Sequence, residues 1–363
     1  MLHHTTAPTG RRRRRLLAAV ALLAAPAVVL ATPGAADAAT TRNRADAGAG
    51  WLGRQLDADT HVMVGQFGAD YGLTADVVLA LDSAKVGKAA ARRATAALSN
   101  HVLDYTGGGD ATEFYAGSFA KLIVVAAAQG VDPAAFGTGP RKDLVTNLLA
   151  LECGTHTRTD CPAGTDGRFS DRSQFGDFSN PITQSLAVIA LDRATRRGAS
   201  RNAVSYLLGA QCANGSFPEK FGTTACAASV DATGFAVQAL TRLNTPKADA
   251  AAAAAGRWLK RHQHANGSFT GNGTRNANTT GLAAQALTAL GRTKAAAKAR
   301  HFLRSLQVLC GGTAANRGQI RYDRANTGDP VRATSQAVPA LARTSLAEVS
   351  NDGSSRGLPS LAC

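Results

Sequence analysis

The pattern of apolar and polar positions divides the chain into helical segments of two alternating kinds. One kind carries Lys and Arg beside apolar residues at helical spacing, as in Trp258-Leu259-Lys260-Arg261-His262-Gln263 and Phe302-Leu303-Arg304-Ser305-Leu306-Gln307. The other is built from Ala, Val, Leu, Gly, Thr and Gln with almost no charge, as in Thr233-Gly234-Phe235-Ala236-Val237-Gln238-Ala239-Leu240. A helix that is apolar all round must be enclosed on every side, so the second kind is expected inside a ring of the first.

The two kinds form a repeating unit, clearest from Ser205 to Leu240. A helix runs to Gln211, Asn214-Gly215 turns the chain, Phe217 points back inward, and a second helix starts near Asp231. The unit returns as His262-Gln263 to Asn266-Gly267-Ser268-Phe269 with Asn278 to Leu287, and again as Leu306-Gln307 with Arg332 to Leu341. Earlier pairs are Trp51 to Leu56 with Leu73 to Ala84, Lys88 to Leu103 with Ala116 to Gln129, and Arg141 to Glu152 with Pro181 to Thr195. The last three pairs open near Ser200, Ala250 and Ala296. Repeats of this period are stacked supersecondary units.

About six helical pairs with no strand pattern predict an all-α fold, an α/α toroid with inner and outer helix rings. An open solenoid would need polar capping repeats, and none is present, so the ring should close on itself. The toroid is expected over residues 40–343, with 40–50 as a polar Ala/Gly-rich lead and 344–363 as a Ser/Gly-rich tail tied back by Cys363. Val77, Leu81, Ile123, Leu186, Ile189, Val237, Leu240, Leu287 and Leu341 should be buried on the inner helices.

Residues 1–39 read as a signal peptide: a basic run Arg11 to Arg15, an apolar stretch Leu16 to Ala31, and small residues at Ala36-Asp37-Ala38. The apolar stretch is short for a membrane span and contains Pro26, so a secreted chain with no stable membrane span is expected. Both an ordinary secretory route and a twin-arginine route fit Arg13-Arg14-Arg15-Leu16-Leu17.

The charge balance changes once that segment is set aside. The whole chain has 40 Lys+Arg against 25 Asp+Glu, and without the leader 35 face 24. The basic residues gather in outer-helix segments such as Lys85 to Arg93, Arg193 to Arg201 and Arg292 to Arg300, which reads as a solvated face. Attraction to an acidic polymer is the alternative reading. No nucleic-acid motif is present.

The six cysteines suggest disulfides in an exported chain. Cys153 and Cys212 each directly follow the helix-ending Glu152 or Gln211, and Cys310 lies three residues after Gln307. That register pairs Cys153 with Cys161, Cys212 with Cys226, and Cys310 with Cys363. A metal site is not expected, because C-x-x-C spacing is absent and no histidine forms a ligand set with the cysteines. No cofactor is expected.

The run aromatic-Leu-x-x-x-Gln-x-x-x-Gly-x-aromatic resembles the QW motif of terpene cyclases and protein prenyltransferases. Gln211 and Gln263 match its Gln, Gly215 and Gly267 its Gly, while Phe217 and Phe269 stand where the motif prefers Trp. The resemblance covers about residues 50 to 343 and implies the toroid fold; it says less about activity. Squalene-type cyclases carry D-x-D-D-T-A at an inner-helix start, whose middle Asp protonates substrate. Here Ser229-Val230-Asp231-Ala232-Thr233-Gly234 keeps the middle Asp and the Thr and lacks the other two carboxylates. Asp57-Ala58-Asp59-Thr60 resembles the motif but follows an outer helix.

Asp231 is therefore the candidate catalytic residue, and an acid of that kind needs neighbours that hold and restore its proton. Aromatic residues are 5% of the chain, few for stabilising a cationic cyclisation. A prenyltransferase would need a zinc site, and a glycosidase a second carboxylate, for which Asp171, Asp177 and Asp323 are candidates. Asp231, Asn278 and Arg332 are equivalent in register, with Thr233, Thr280 and Thr334 two residues on. Thr233, Asn278, Thr280 and Arg332 are expected at one concave mouth, with Gln184, Gln238 and Gln285 deeper, as a ligand-binding set. The plainer reading of Asp231 and Asn278 is helix capping. Asn214 and Asn266 match glycosylation sequons, but their fixed register marks them as turns.

The composite expectation is an exported ligand-binding toroid without complete cyclase chemistry. Its partner would be a small molecule or an extracellular polymer, polar or anionic because helix N-termini and Arg332 meet at the mouth. Secreted cobalamin carriers use a similar ring with a second domain that has no counterpart here. A divergent terpene cyclase/mutase or carbohydrate-active enzyme acting through Asp231 is the alternative.

Overall fold

A computed structural model describes residues 39–154, 158, 160–222 and 225–363. The leader expected over 1–39 lies outside them, apart from Ala39. Thirteen α-helices are present among the described residues. Outer positions are taken by α1 (Arg44–Gly53), α3 (Lys88–Asn100) with α4 (Val102–Gly107), α6 (Leu144–Leu149), α8 (Arg201–Gly209), α10 (Pro246–His262) and α12 (Thr293–Ser305). Inner positions are taken by α2 (Tyr71–Ala84), α5 (Ala116–Gln129), α7 (Pro181–Ala194), α9 (Val230–Leu240), α11 (Ala277–Ala289) and α13 (Pro330–Ala342). Each inner helix packs on the next, and α13 returns to α2, so the six pairs close a ring.

Composition explains which helix sits where. α5 buries Phe119, Ala120 and Leu122 through Ala126, a nearly unbroken apolar surface that only enclosure can cover. α12 buries Ala295, Ala296, Ala299, Phe302 and Leu303 on one side and exposes Lys294, Lys298 and Arg304 on the other. All nine inner-helix residues expected in the core are buried. Inner helices approach closely where side chains are small: a Cβ on Gly281 of α11 would collide with the Gln336 carbonyl of α13.

Two expectations are corrected here. Residues 44–50 are not a polar lead but the start of α1, capped by Asn43 and burying Ala45, Ala47 and Ala49 against the ring. The described chain also contains short two-stranded ladders. β1 (Thr40–Thr41) pairs in parallel with β8 (Ser360–Leu361). β2 (Met63–Gly65) pairs with β3 (Gly68–Asp70), β4 (Phe217–Pro218) with β5 (Ala228–Ser229), and β6 (Thr270–Gly271) with β7 (Thr274–Arg275). At two or three residues each they are too short to leave an alternating pattern in the sequence.

The repeat motif is a set of hydrogen bonds. Gln211 Nε2 donates to Gly215 O (3.0 Å) and to Ala251 O of the next outer helix (2.8 Å). Gln263 repeats this with Gly267 O and Ala295 O, and Gln307 with Gly318 O and Arg44 O, the last bond joining repeat six to repeat one. Asn214 and Asn266 each accept from the backbone and hydroxyl two residues on, the turns expected at those positions. Cys153–Cys161, Cys212–Cys226 and Cys310–Cys363 are paired, with Cα separations of 5.8, 6.0 and 5.6 Å.

Residues 346–351 cross beneath the ring, and the rest of the tail runs past Arg54 to pair with β1 and reach Cys310. Leu346 N donates to Gln238 Oε1 (2.9 Å), Arg193 Nη1 to Leu346 O (2.8 Å), Lys85 Nζ to Ser350 O (2.7 Å) and Asn351 N to Ala128 O (2.8 Å). These partners sit at the C-terminal ends of α9, α7, α2 and α5, so the segment lies across the end of the ring opposite the inner-helix N-termini.

Candidate functional site

The ring encloses a cavity of about 230 Å³ to which all six inner helices contribute. Leu79 of α2, Ile182 and Leu186 of α7, Phe235 of α9 and Leu282 of α11 give it apolar walls, and Leu346 from the crossing segment lines it as well. Its polar groups are Asp231 of α9, Gln285 of α11, Arg332, Ser335 and Gln336 of α13, Asp76 of α2 and Lys121 of α5.

The polar groups fall on two sides. Lys121 Nζ and Asp76 Oδ1 form an ion pair at 2.8 Å. Burial disfavours the Lys121 charge, but Asp76 and the neighbouring Tyr105 outweigh it and raise the ammonium pKa. Arg332 reaches Asp329 at 3.5 Å and Asp70 at 4.0 Å and is otherwise open to solvent. In the order of helices around the ring, α9 stands three places from α2 in either direction. Asp231 therefore faces the Asp76–Lys121 pair from the opposite wall.

Among the described residues, Asp231 has no charged partner of opposite sign. Burial raises its pKa, a hydrogen bond with Thr279 opposes that, and the Glu219 charge adds to the rise. Its Oδ1 is buried without a hydrogen-bond partner. Gln285 donates from Nε2 to Gln336 O (3.2 Å), and its buried Oε1 is likewise unpartnered. A buried acceptor left without a donor costs about 1–3 kcal/mol.

Capping is done by other residues. Ser229 Oγ accepts from Ala232 N, Asn276 Oδ1 from Thr279 N, and Asp329 from Val331 N and Arg332 N. Asp231 and Asn278 lie inside the first helical turn, so the capping role expected for them is corrected: the Ncap is two residues earlier in each, Ser229 and Asn276.

The set expected at the mouth divides. Asp231, Gln285 and Arg332 line the cavity. Thr233 and Thr280 do not: their buried hydroxyls accept the amides of Phe217 and Phe269 at 2.9 and 3.0 Å, tying each loop to its inner helix. Thr334 does the same for Ile320. Gln184 holds Phe169 N, Gly167 O and Ala203 O. Gln238 holds Leu346 N and Gly234 O. Asn278 is outside the cavity lining, with an unpartnered buried Oδ1 of its own.

The carboxylates proposed as partners for Asp231 are also occupied elsewhere. Asp171 accepts from Ala116 N at the start of α5, Asp177 pairs with Arg168 at 2.7 Å, and Asp323 accepts from Ala325 N and Asn326 N. The carboxylate that does share the cavity is Asp76. It and Lys121 were missed from sequence, although charges inside apolar inner helices, Asp76 and Asp82 in α2 and Lys121 in α5, were the available signal. Among the described residues, no three His, Cys, Asp or Glu side chains form a group suited to a metal, and no helix is long and apolar enough to cross a membrane.

No family profile and no curated protein matches the chain. Solved structures do. A variant of the type II terpene cyclase MstE from Scytonema, bound to geranylgeranyl dihydroxybenzoate, is 14% identical with a TM-score of 0.60; the match covers 83% of this chain and 96% of that one. An unsaturated glucuronyl hydrolase from Bacillus sp. GL1, responsible for the degradation of glycosaminoglycan, is 12% identical at 0.55 over the same shares. The ent-copalyl diphosphate synthase from Streptomyces platensis is 20% identical at 0.49 over 75% of this chain, which spans half the length of that enzyme. The fold is the α/α toroid of terpenoid cyclases, a scaffold that the glucuronyl hydrolase shares.

Proposed function

We propose that the protein is an exported toroid that binds a small, largely apolar molecule carrying a hydrogen-bond donor, in place of the polar or anionic ligand expected from the sequence, without complete cyclase chemistry. The observation that carries this reading is the pairing of two buried, unpartnered acceptors, Asp231 Oδ1 and Gln285 Oε1, with the apolar wall of Leu79, Leu186, Phe235 and Leu282. A donor on the ligand would satisfy the acceptors while its apolar part covers the wall. Three disulfides support export. Phe235 is the one aromatic ring in the lining, and the volume is below the range of about 300–1,000 Å³ usual for ligand sites. Neither feature suits folding a long polyprenyl cation.

One observation favours a second reading. Asp231 has a raised pKa and faces a second carboxylate, Asp76, across the ring, which suits a proton donor acting on an alkene or a glycoside. Mass spectrometry under non-denaturing conditions on protein purified from culture medium separates the two. Binding predicts one retained small molecule, unchanged in mass on prolonged incubation and lost in Gln285→Leu. Conversion of that molecule by the wild type, abolished in a folded Asp231→Asn protein, would establish the enzyme instead.

A further inference from the structure

We propose that the outer rim beside the last two repeats is a second binding site, a groove for a strand of anionic glycan. Two hollows of about 550 and 340 Å³ adjoin there and share Asn266, Phe302 and Arg324, so they form one elongated trough. One side is the C-terminal half of α12; the other is the pair of loops that lead into α11 and α13, on the rim where the inner helices begin.

The trough is cationic. Lys298 and His301 line it from α12, Arg275 from β7, and Arg324 from the loop before α13, all four exposed. None of Lys298, Arg275 and Arg324 enters an ion pair among the described residues. The carboxylate in the lining, Asp323, is buried; its Oδ1 accepts the amides of Ala325 and Asn326, its Oδ2 the side-chain amide of Asn326, and it enters no ion pair among the described residues. Three unpaired cations along one trough complement a chain with repeating negative charge.

The chemistry of the lining selects the polymer. Single-stranded nucleic acid binds on exposed aromatic faces, and the trough's Phe302 is buried at 3% exposure, offering none. A polyuronate or sulfated glycan needs charge and hydrogen-bonding groups along its length, which Arg275, Lys298, Arg324 and Asn266 supply. The assignment of an extracellular polymer rests on the export reading above; the position and charge of the trough do not.

The test measures binding of polygalacturonate to the full chain, with neutral dextran and single-stranded DNA as competitors, for the wild type, Lys298→Glu/Arg324→Glu, and Lys88→Glu/Arg92→Glu on outer helix α3, two places round the ring. The expected result is salt-sensitive glycan binding that weakens at least tenfold in the first variant only, with neither competitor displacing it. Equal loss in both variants, no loss in either, no binding by the wild type, or tighter binding of DNA would each overturn the proposal. Should the Glu variant fail to fold, Lys298→Gln/Arg324→Gln gives the same reading. Retention of the cavity ligand by these variants is scored separately, so the outcome does not depend on the central site.

Discussion

Gln184 does from inside the ring what Gln211 does from outside it. Both donate Nε2 to the carbonyl of a motif glycine, Gly167 or Gly215, and to the carbonyl of a residue on the next outer helix, Ala203 or Ala251. In the third repeat Glu152 occupies the usual Gln position, and the amide has moved to α7, at the place Thr233 holds in α9. There its Oε1 also accepts Phe169 N, the bond a threonine makes elsewhere.

Gln184→Leu should therefore cost more than Gln211→Leu. The first abandons three buried hydrogen bonds and the second two partly buried ones, at about 1 kcal/mol each or more where a group is left unsatisfied. Urea unfolding of both variants checks the order, and an equal or reversed loss would remove the claim that one residue fills both roles.

Thr233→Val and Thr280→Val should each lower stability by about 1–3 kcal/mol while leaving ligand binding at the wild-type level. The hydroxyls hold loop amides and do not line the cavity. Loss of ligand from a Thr233→Val protein of unchanged stability would return these residues to the site.

Acidity at Asp82 should be visible in the pH dependence of stability. This residue of α2 is fully buried and receives Gln129 Nε2 on both oxygens at 2.7 Å. Burial pushes its pKa to about 7 from 3.8. The folded state thus binds a proton that the unfolded state has released, and stability falls as pH rises from about 4 to about 7. Asp231, also raised by burial, acts in the same direction. Chemical denaturation from pH 4 to 8 should show that fall, and Asp82→Asn should flatten it; a slope unchanged in the variant would refute the assignment.

Much of the ring was legible in the sequence because its cause is repeated. Helices apolar all round place themselves inside whatever the partner sequence, and two of them, α9 and α11, are announced by Gln-x-x-x-Gly-x-Phe at Gln211 and Gln263. The glycine is legible for the same reason. Gly267 has φ of 89°, and a Cβ there would collide with the Lys298 carbonyl, so the position admits no other residue in every copy of the turn. The site was less legible. Thr233 and Thr280 sit one turn into inner helices, as a ligand-contacting residue would, and what decides their role is an amide 16 or 11 residues earlier that only the folded chain brings near. Ser229 and Asp231 are both good cap types, and the choice between them depends on where the backbone turns helical. Asp76 and Lys121 each left a signal as a charge within an apolar inner helix; what the sequence hid is that neighbouring α2 and α5 pair them and that ring closure sets Asp231 opposite.

Replacing Cys310 and Cys363 with Ser should destabilise the protein by about 4 kcal/mol on the chain-entropy estimate for a closed loop of 53 residues. Peptide mapping without reduction should recover Cys153–Cys161, Cys212–Cys226 and Cys310–Cys363 in one chain. Leu346→Ala, by contrast, should enlarge the cavity and shift its preference toward a larger ligand at a cost of about 2–5 kcal/mol. A variant that keeps the wild-type ligand preference would show that Leu346 does not bound the site.

The position of Leu346 also decides the topology of the cavity. Its walls come from residues 76 to 339, and Leu346 follows α13 in the chain. Without that segment the six inner helices would form a tube open at both ends, with Leu186 and Phe235 reachable from below. Leu346, held on Gln238, makes the tube a cup.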